Sequence, residues 1–215
     1  MIKMRLTVSV VAVAFALTAT ADIAVFDDTF HNGWEEYYGN NITNGFGHGG
    51  SDAALYNGDS IELRNAAGTA NGGNHFLEAY LYFVTNAVYP DHRLHRVDID
   101  IADPASPDTL TRIEYKPSNS DIFVDGVQDT SGHIDFPGGG TWHQLRIDID
   151  SHSSLTYTPV KVGDLRFTIA GWQGDSAFMY IDDVSLTGGG TTNPLLSVTL
   201  TALDFGGSAT SMTYD

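Results

Sequence analysis

The amino-acid sequence predicts an all-β fold in which two antiparallel sheets pack face to face as a jelly-roll β-sandwich. Short runs of alternating apolar and polar residues are separated by clusters of Gly, Asn, Asp and Pro, which is the pattern of all-β proteins. Almost no 3.6-residue periodicity follows residue 21, and no strand–helix–strand alternation is present. Strands that each carry one apolar face bury it most simply against a second sheet.

The predicted strands follow one another closely along the chain. They are Ile23–Phe30, Glu35–Tyr38, Ala53–Asn57, Ser60–Arg64, His75–Thr85, Leu94–Ile101, Leu110–Tyr115, Ile122–Val124, Val127–Asp129, Trp142–Ile149, Asp164–Ala170 and Ala177–Leu186. Asp125-Gly126 joins two of these runs and predicts a two-residue hairpin, because Gly accepts positive φ freely. The segment Gly39–Ser51 is rich in Gly and Asn and is expected to be a loop.

A period of two assigns the faces of the three longest strands. The side chains expected to point into the core are Leu77, Ala79, Leu81, Phe83, Val97, Ile99, Ile101, Leu145, Ile147 and Ile149. Those expected on the opposite faces are Phe76, Glu78, Tyr80, Tyr82, Arg96, Asp98, Asp100, Trp142, Gln144, Arg146 and Asp148.

The two ends of the chain predict segments outside the sandwich. Lys3 and Arg5 precede an apolar run at Leu6–Leu17, and Ala19-Thr20-Ala21 ends residues 1–21 as a secretory signal peptide. Residues 22–187 are expected to form the module, and residues 188–194 a Gly-rich linker. Residues 195–215 contain two further apolar runs, which predict either the start of a second β-domain or a hairpin docked on the sandwich.

The composition indicates the cellular location of the protein and the classes of partner that it can bind. A signal peptide without any Cys predicts a secreted bacterial protein, periplasmic or extracellular, with no disulfide framework. Removal of residues 1–21 leaves 8 basic residues against 27 acidic ones, which is a formal charge of −19. Such a charge repels nucleic acid and anionic membrane surfaces, but it is compatible with the binding of divalent cations and neutral sugars. No membrane insertion is expected.

Two acidic pairs stand near the ends of the predicted module. Asp182 and Asp183 interrupt the apolar strand in Phe178–Leu186, where unpaired carboxylates are costly to bury, and Asp27 and Asp28 lie in the first strand. Because hard oxygen ligands at one site suit Ca²⁺, the four carboxylates predict a calcium site if the two strands are neighbours. The alternative is that one Asp of each pair faces solvent while the other caps a turn.

The opening F-D-D-x-F…G-W and the closing I-D-D-V-S-L resemble the ends of jelly-roll carbohydrate-binding modules of the galactose-binding-like superfamily. The resemblance implies a secreted, non-catalytic module that binds a polysaccharide and holds a structural calcium ion, with Asp183 as the best-matched ligand. At the opening end, many members carry Glu where this chain has His31, so Asp27 and Asp28 would have to replace it.

Aromatic residues on the polar faces predict the sugar-binding residues. Sugars stack their C–H faces on aromatic rings while neighbouring polar side chains bond the hydroxyl groups. The candidates that share these properties are Tyr80, Tyr82, Glu78, Trp142, Gln144, Arg146 and the loop residue Trp172. Phe46 and the Asn residues of Gly39–Ser51 are candidates for a binding rim. The alternative is that the tyrosines are packing residues beneath a loop.

Two other classes of function stay open. Asp98, Asp100 and Asp103 have the spacing of an E-x-D-x-x-E glycosidase motif, which would make the protein a small glycoside hydrolase or polysaccharide lyase. The same Arg-apolar-Asp-apolar-Asp pattern recurs at Arg146–Asp150, however, which favours cross-strand Arg–Asp pairs on solvated faces over catalysis. The third class is an adhesion or structural β-sandwich without a sugar site.

Overall fold

The structure is a computed structural model, and it describes residues 21–37, 41–51, 53–57, 60–84, 92–170 and 179–188. The predicted signal peptide up to residue 20, the C-terminal runs after residue 188 and Trp172 lie outside the described residues. Within the described ranges, no helix has the length and apolar character that a membrane crossing requires.

The described chain is built from short antiparallel strands. They are β1 (Ile23–Asp27), β2 (Thr29–Phe30), β3 (Glu35–Glu36), β4 (Asn41–Asn44), β5 (Ala53–Asn57), β6 (Ser60–Arg64), β7 (Thr69–Ala70), β8 (Asn74–Phe83), β9 (Arg93–Ala102), β10 (Leu110–Tyr115), β11 (Ile122–Val124), β12 (Val127–Gln128), β13 (Ile134–Asp135), β14 (Trp142–Asp148), β15 (Lys161–Ile169) and β16 (Met179–Gly188). One 3₁₀ turn, Ile149–Ser151, follows β14.

These strands form two sheets. The larger sheet has the order β12-β11-β14-β8-β16-β1-β2, with β5 also pairing with β16 and β4 pairing with β5. The smaller sheet has the order β10-β9-β15-β6-β3, with β13 beside β9 and β7 beside β15. Among the longer strands, the chain changes sheet between β8 and β9, between β14 and β15, and between β15 and β16, as the winding of a jelly roll requires. The predicted antiparallel two-sheet β-sandwich is confirmed.

The core lies between the sheets, and the period of two decides which side chains enter it. Leu77, Ala79 and Leu81 of β8 are fully buried, and Phe83 is 4% exposed. The predicted core residues of β9 and β14 belong to the same buried cluster, together with Trp34. Burial of each large apolar side chain contributes roughly 1.5–3 kcal/mol, so this continuous cluster supplies the main stabilisation of the sandwich.

The hairpin at Asp125-Gly126 is confirmed. It joins β11 to β12, with φ of 50° at Asp125 and 78° at Gly126. Positive φ at both central residues is the conformation of a type I′ turn, whose twist matches that of the flanking strands. The turn therefore fixes the register of this edge of the larger sheet.

Several details differ from the sequence-based expectations. The predicted strand Ile23–Phe30 is divided at Asp28 into β1 and β2, and the short strands β7 and β13 were not predicted. β4 forms within the segment that was expected to be a loop, because Asn41–Asn44 pairs with β5. Ile149 is buried as expected but belongs to the 3₁₀ turn and not to the strand. Asp98 faces away from the core as predicted, yet it is only 3% exposed, because Arg96 lies 3.1 Å from its carboxylate and Arg166 is its cross-strand neighbour.

Candidate functional site

The outer face of the larger sheet brings together six of the residues predicted to bind sugar. They stand in three cross-strand pairs between β14 and β8, which are Trp142 with Tyr82, Gln144 with Tyr80, and Arg146 with Glu78. All six side chains are half-buried, whereas the alternating residues Leu77, Ala79, Leu81, Leu145 and Ile147 are in the core. The shared face follows from the alternation, and the role of these residues in sugar binding stays a prediction.

Two tyrosines extend the first of these pairs into a row of four rings. Tyr180 of β16 stands opposite Tyr82, and Tyr56 of β5 stands opposite Tyr180. The ring centroids of successive members lie 5.6 Å apart for Trp142 and Tyr82, 6.0 Å for Tyr82 and Tyr180, and 5.5 Å for Tyr180 and Tyr56. We call Trp142, Tyr82, Tyr180 and Tyr56 the aromatic row. It crosses four adjacent strands of the sheet.

Tyr180 and Tyr56 are not among the binding residues that the sequence predicts. The signal for Tyr180 is present, since it alternates with the buried residues Met179 and Ile181 and must therefore face outward. No sequence pattern indicates that β5 pairs with β16 and places Tyr56 at the end of the row, because pairing partners are decided by the tertiary fold.

Polar groups lie beside the aromatic row on the same face. The Nε2 of Gln144 is 3.5 Å from Oε2 of Glu78, and the Nε of Arg146 is 3.3 Å from Oε1 of Glu78. The guanidinium of Arg146 also lies over the ring of Phe76, at 3.7 Å from the ring centroid. These groups offer hydrogen-bond donors and acceptors next to flat apolar rings.

The segment Gly45–Ser51, which we call the strap, follows β4 and crosses this face. The ring of Phe46 lies 4.9 Å from Tyr82, 4.7 Å from Tyr180 and 5.6 Å from Trp142 between centroids. These separations lie in the range of favourable aromatic pairs. The open tyrosine platform expected from the sequence is thus partly covered, and its alternative, tyrosines beneath a loop, describes part of the arrangement.

His48 covers the next position on the face. Its imidazole stacks on the ring of Tyr80, with 3.6 Å between centroids and 13° between planes. Burial raises the pKa of the Tyr80 hydroxyl, and the negative charges of Glu78 and Asp183 raise it further. Tyr80 therefore stays a neutral hydrogen-bonding phenol up to a higher pH than an ordinary tyrosine.

The acidic pair of β16 anchors the strap. Asp182 pairs with Tyr80 and Ser185 pairs with Glu78, so β16 carries one extra residue at this point. This β-bulge includes Asp183 in the left-handed conformation, with φ of 47°. The bulge explains how two consecutive carboxylates both reach the outer side of the sheet, which a regular strand would not allow.

Each carboxylate of the pair has its own partners. Asp182 is fully buried, and its Oδ2 accepts hydrogen bonds from the backbone N–H of His48, at 2.8 Å, and from the hydroxyl of Ser51. Its Oδ1 accepts the N–H of Asp183 at 2.8 Å. Burial raises the pKa of Asp182, although these hydrogen bonds oppose the shift. The Oδ2 of Asp183 lies 2.7 Å from Nδ1 of His48.

The opening acidic pair lies close to the closing pair in the sheet, because β1 and β16 are neighbours. β1 pairs with β16 with Phe26 opposite Val184, as expected for neighbouring end strands. Asp27 contacts the imidazole of His31 instead, and Asp28 adopts φ of 58°. Among the described residues, no three His, Asp or Glu side chains converge in a way that would hold a metal ion. Calcium binding by Asp27, Asp28, Asp182 and Asp183 stays a prediction.

The acids of the glycosidase-like spacing each have a structural partner. Asp98 contacts Arg96 at 3.1 Å, and Asp100 contacts the Nε of Arg112 on the neighbouring strand at 2.8 Å. Asp103 accepts the backbone N–H of Ala105 at 2.7 Å in the turn after β9. An ion pair within β9, an ion pair across to β10 and the capping of a turn account for these three carboxylates.

Comparisons with known proteins give similar folds at low identity. No protein-family model and no curated protein matches this chain. The family 30 carbohydrate-binding module of the cellulosomal cellulase Cel9D-Cel44B of Clostridium thermocellum is 11% identical, with a TM-score of 0.49 over 80% of this chain and 100% of that one.

Two further solved structures are less similar. The non-crystalline-cellulose-specific module CBM28 is 10% identical, with a TM-score of 0.38 over 77% of this chain and 93% of that one. The catalytic domain of Agl-KA is 13% identical, with a TM-score of 0.39 over 93% of this chain and 34% of that one. The chain is therefore similar to β-sandwich structures that include carbohydrate-binding modules, while the assignment of its fold rests on the two sheets described above.

Proposed function

We propose that this protein is a carbohydrate-binding module that takes a polysaccharide on the outer face of its larger sheet. The aromatic row is the observation that carries the proposal. Four rings at the same register position of four adjacent strands span about 15 Å, given a strand spacing of about 4.8 Å. A row of that length suits several consecutive sugar units of a chain, each of which presents a flat C–H face to an aromatic ring.

The polar groups beside the row support the same ligand class. Gln144, Glu78 and Arg146 offer both donors and acceptors at the margin of the rings, which is what sugar hydroxyl groups require. The strongly negative formal charge of −17 for the whole chain favours a neutral polysaccharide over a polyanionic one. Secretion, which the first 21 residues predict, would place such a module where polysaccharides are found.

The competing functions predict different results in one experiment. The protein and its Trp142→Ala variant are applied to an array of neutral polysaccharides, and both the retained protein and any released oligosaccharide are measured. Specific retention without product, lost on Trp142→Ala, is the expected result. Release of oligosaccharide would establish an enzyme, and the absence of both retention and product would leave the structural or adhesion class.

A control variant distinguishes the effect of removing a ring from the aromatic row from the effect of removing an aromatic ring elsewhere on the surface. Tyr37 is 40% exposed and belongs to the region of β3, in the smaller sheet. Tyr37→Ala should bind the array as the unmodified protein does. Equal loss in Tyr37→Ala and Trp142→Ala would contradict binding at the aromatic row.

A further inference from the structure

We propose that the strap is an autoinhibitory element, which occupies the aromatic row in the absence of ligand and must move aside when a polysaccharide binds. This inference rests on the proposed function and concerns the regulation of the same site. Its starting point is Phe46, whose ring lies within 5.6 Å of three members of the row, Trp142, Tyr82 and Tyr180. A sugar ring stacked on the centre of the row would need the space that Phe46 occupies.

Besides the ring contacts of Phe46 and His48, polar contacts that do not involve the aromatic row hold the strap. The backbone N–H of His48 and the hydroxyl of Ser51 bind the buried carboxylate of Asp182, and the imidazole of His48 contacts Asp183. A β-turn closes the segment, with the N–H of Ser51 donating to the carbonyl of His48 at 2.9 Å. The strap can therefore remain attached at Asp182 while Phe46 leaves the row.

The composition of the strap suits such a movement. Gly45, Gly49 and Gly50 all have positive φ, and no other atom lies within 4 Å of a Cβ built on Gly45 or Gly50. Between Phe46 and His48, a Cβ on Gly47 would lie 2.6 Å from the carbonyl oxygen of Ser51. The closed form therefore requires glycine at position 47.

Competition of this kind lowers the apparent affinity by the fraction of molecules in the open form. Phe46 packs against three rings of the aromatic row, which favours the closed form. Removal of the Phe46 ring should therefore raise the affinity for polysaccharide about tenfold. A ring that instead contributes to binding would give a change of opposite sign.

The test uses two variants that expose the aromatic row, one by removal of the covering ring and one by destabilising the closed strap. Phe46→Ala removes the competing ring, and Gly47→Ala keeps that ring but clashes with the backbone of Ser51. Gly138→Ala is the control, because its added Cβ meets nothing within 4 Å and the residue lies outside the strap. For the fluorescence measurement alone, each protein also carries Trp172→Phe, so that quenching by acrylamide reports on Trp142 beside the 4%-exposed Trp34. Affinities are measured with Trp172 intact.

Two measurements separate the outcomes. Both strap variants should show stronger quenching of Trp142 without ligand. They should also bind the polysaccharide that retains the unmodified protein with about tenfold higher affinity. Binding by the unmodified protein that weakens in Phe46→Ala would overturn autoinhibition and make Phe46 part of the binding surface, while the proposed function would stand. Stronger quenching with no polysaccharide bound by any variant would overturn both proposals, and unchanged quenching would show that the strap does not cover Trp142.

Discussion

The imidazole of His48 lies flat on the ring of Tyr80, with 3.6 Å between the two centroids. The same imidazole reaches Asp183 at 2.7 Å through Nδ1. One side chain therefore joins the strap both to the aromatic face of β8 and to the bulge of β16. The acidic pair that interrupts an apolar strand is accounted for here by the attachment of the strap.

Tyr82 and Leu81 are neighbours in β8 with opposite roles, and their substitutions should separate binding from stability. Tyr82→Ala should weaken polysaccharide binding about tenfold, because stacking of a nucleobase on an aromatic ring is worth roughly 1–3 kcal/mol and we take the low end of that range for a sugar. Leu81 is fully buried, so Leu81→Ala should cost about 2–5 kcal/mol of unfolding free energy. Affinity electrophoresis and urea unfolding measure the two effects, and weaker binding by Leu81→Ala at a temperature where it is folded would contradict this division.

Asp182→Asn should destabilise the strap more than any other single change of a carboxylate to an amide on this face. One oxygen of Asp182 accepts the N–H of Asp183, and the other accepts the N–H of His48 and the hydroxyl of Ser51. An amide must turn its NH₂ group towards one of these donors, which leaves a buried donor unpaired at a cost of about 1–3 kcal/mol. Chemical denaturation measures the loss. A variant as stable as the parent would show that Asp182 does not anchor the strap.

The predicted calcium ion is tested by thermal melts in EDTA and in millimolar CaCl₂. A cation bound only by the folded state should add about 2.7 kcal/mol at a hundredfold excess over Kd, which raises Tm by several degrees. Asp183→Asn should remove the difference, and Asn accepts the positive φ of this position well. Identical melts of the parent protein in the two buffers would contradict the calcium prediction and would not bear on the contacts of the strap.

Tyr115 should make the protein sensitive to alkaline pH. Its hydroxyl donates to the carbonyl of Ile149 at 2.9 Å in the core, and burial followed by the negative charges of Asp150 and Asp148 raises the pKa of this hydroxyl. Because the folded pKa exceeds the unfolded one, the contribution to stability is complete below pH of about 10 and falls by about 1.4 kcal/mol per pH unit above it.

The Tyr115→Phe variant isolates that contribution. At pH 7 it should be less stable than the parent by about 1–3 kcal/mol, since the carbonyl of Ile149 loses its donor. The difference should shrink when urea unfolding is repeated at pH 11, where the parent has lost part of the contribution. A difference that stays constant between pH 7 and pH 11 would contradict the raised pKa.

The hairpin turn offers a test of backbone conformation alone. Gly126 has φ of 78° and Gly138 has no positive φ, while neither would bring an added Cβ within 4 Å of another atom. Gly126→Ala should therefore cost about 1–2 kcal/mol through the left-handed conformation. Gly138→Ala should be neutral or stabilise by up to about 1 kcal/mol through the unfolded chain. Equal effects in urea unfolding would contradict the type I′ assignment.

The sequence by itself determined the class of fold and the face of each long strand. Leu77, Ala79 and Leu81 had to be buried because successive side chains of a strand point to opposite sides. The same alternation placed Tyr80 and Tyr82 together on the other face. Local chemistry also decided the turn at Asp125-Gly126, where positive φ favours glycine.

The tertiary structure alone decided which strands are neighbours and what covers them. The aromatic row exists because β5, β16, β8 and β14 are adjacent, and pairing between strands distant in sequence leaves no local pattern. The bulge at Asp183 directs both carboxylates of the acidic pair of β16 towards the strap, whereas Asp27 of β1 contacts His31. A buried carboxylate requires hydrogen-bond donors, and the backbone of His48 and the hydroxyl of Ser51 supply them to Asp182. These bonds hold the strap over the sheet and so place Phe46 against the aromatic row.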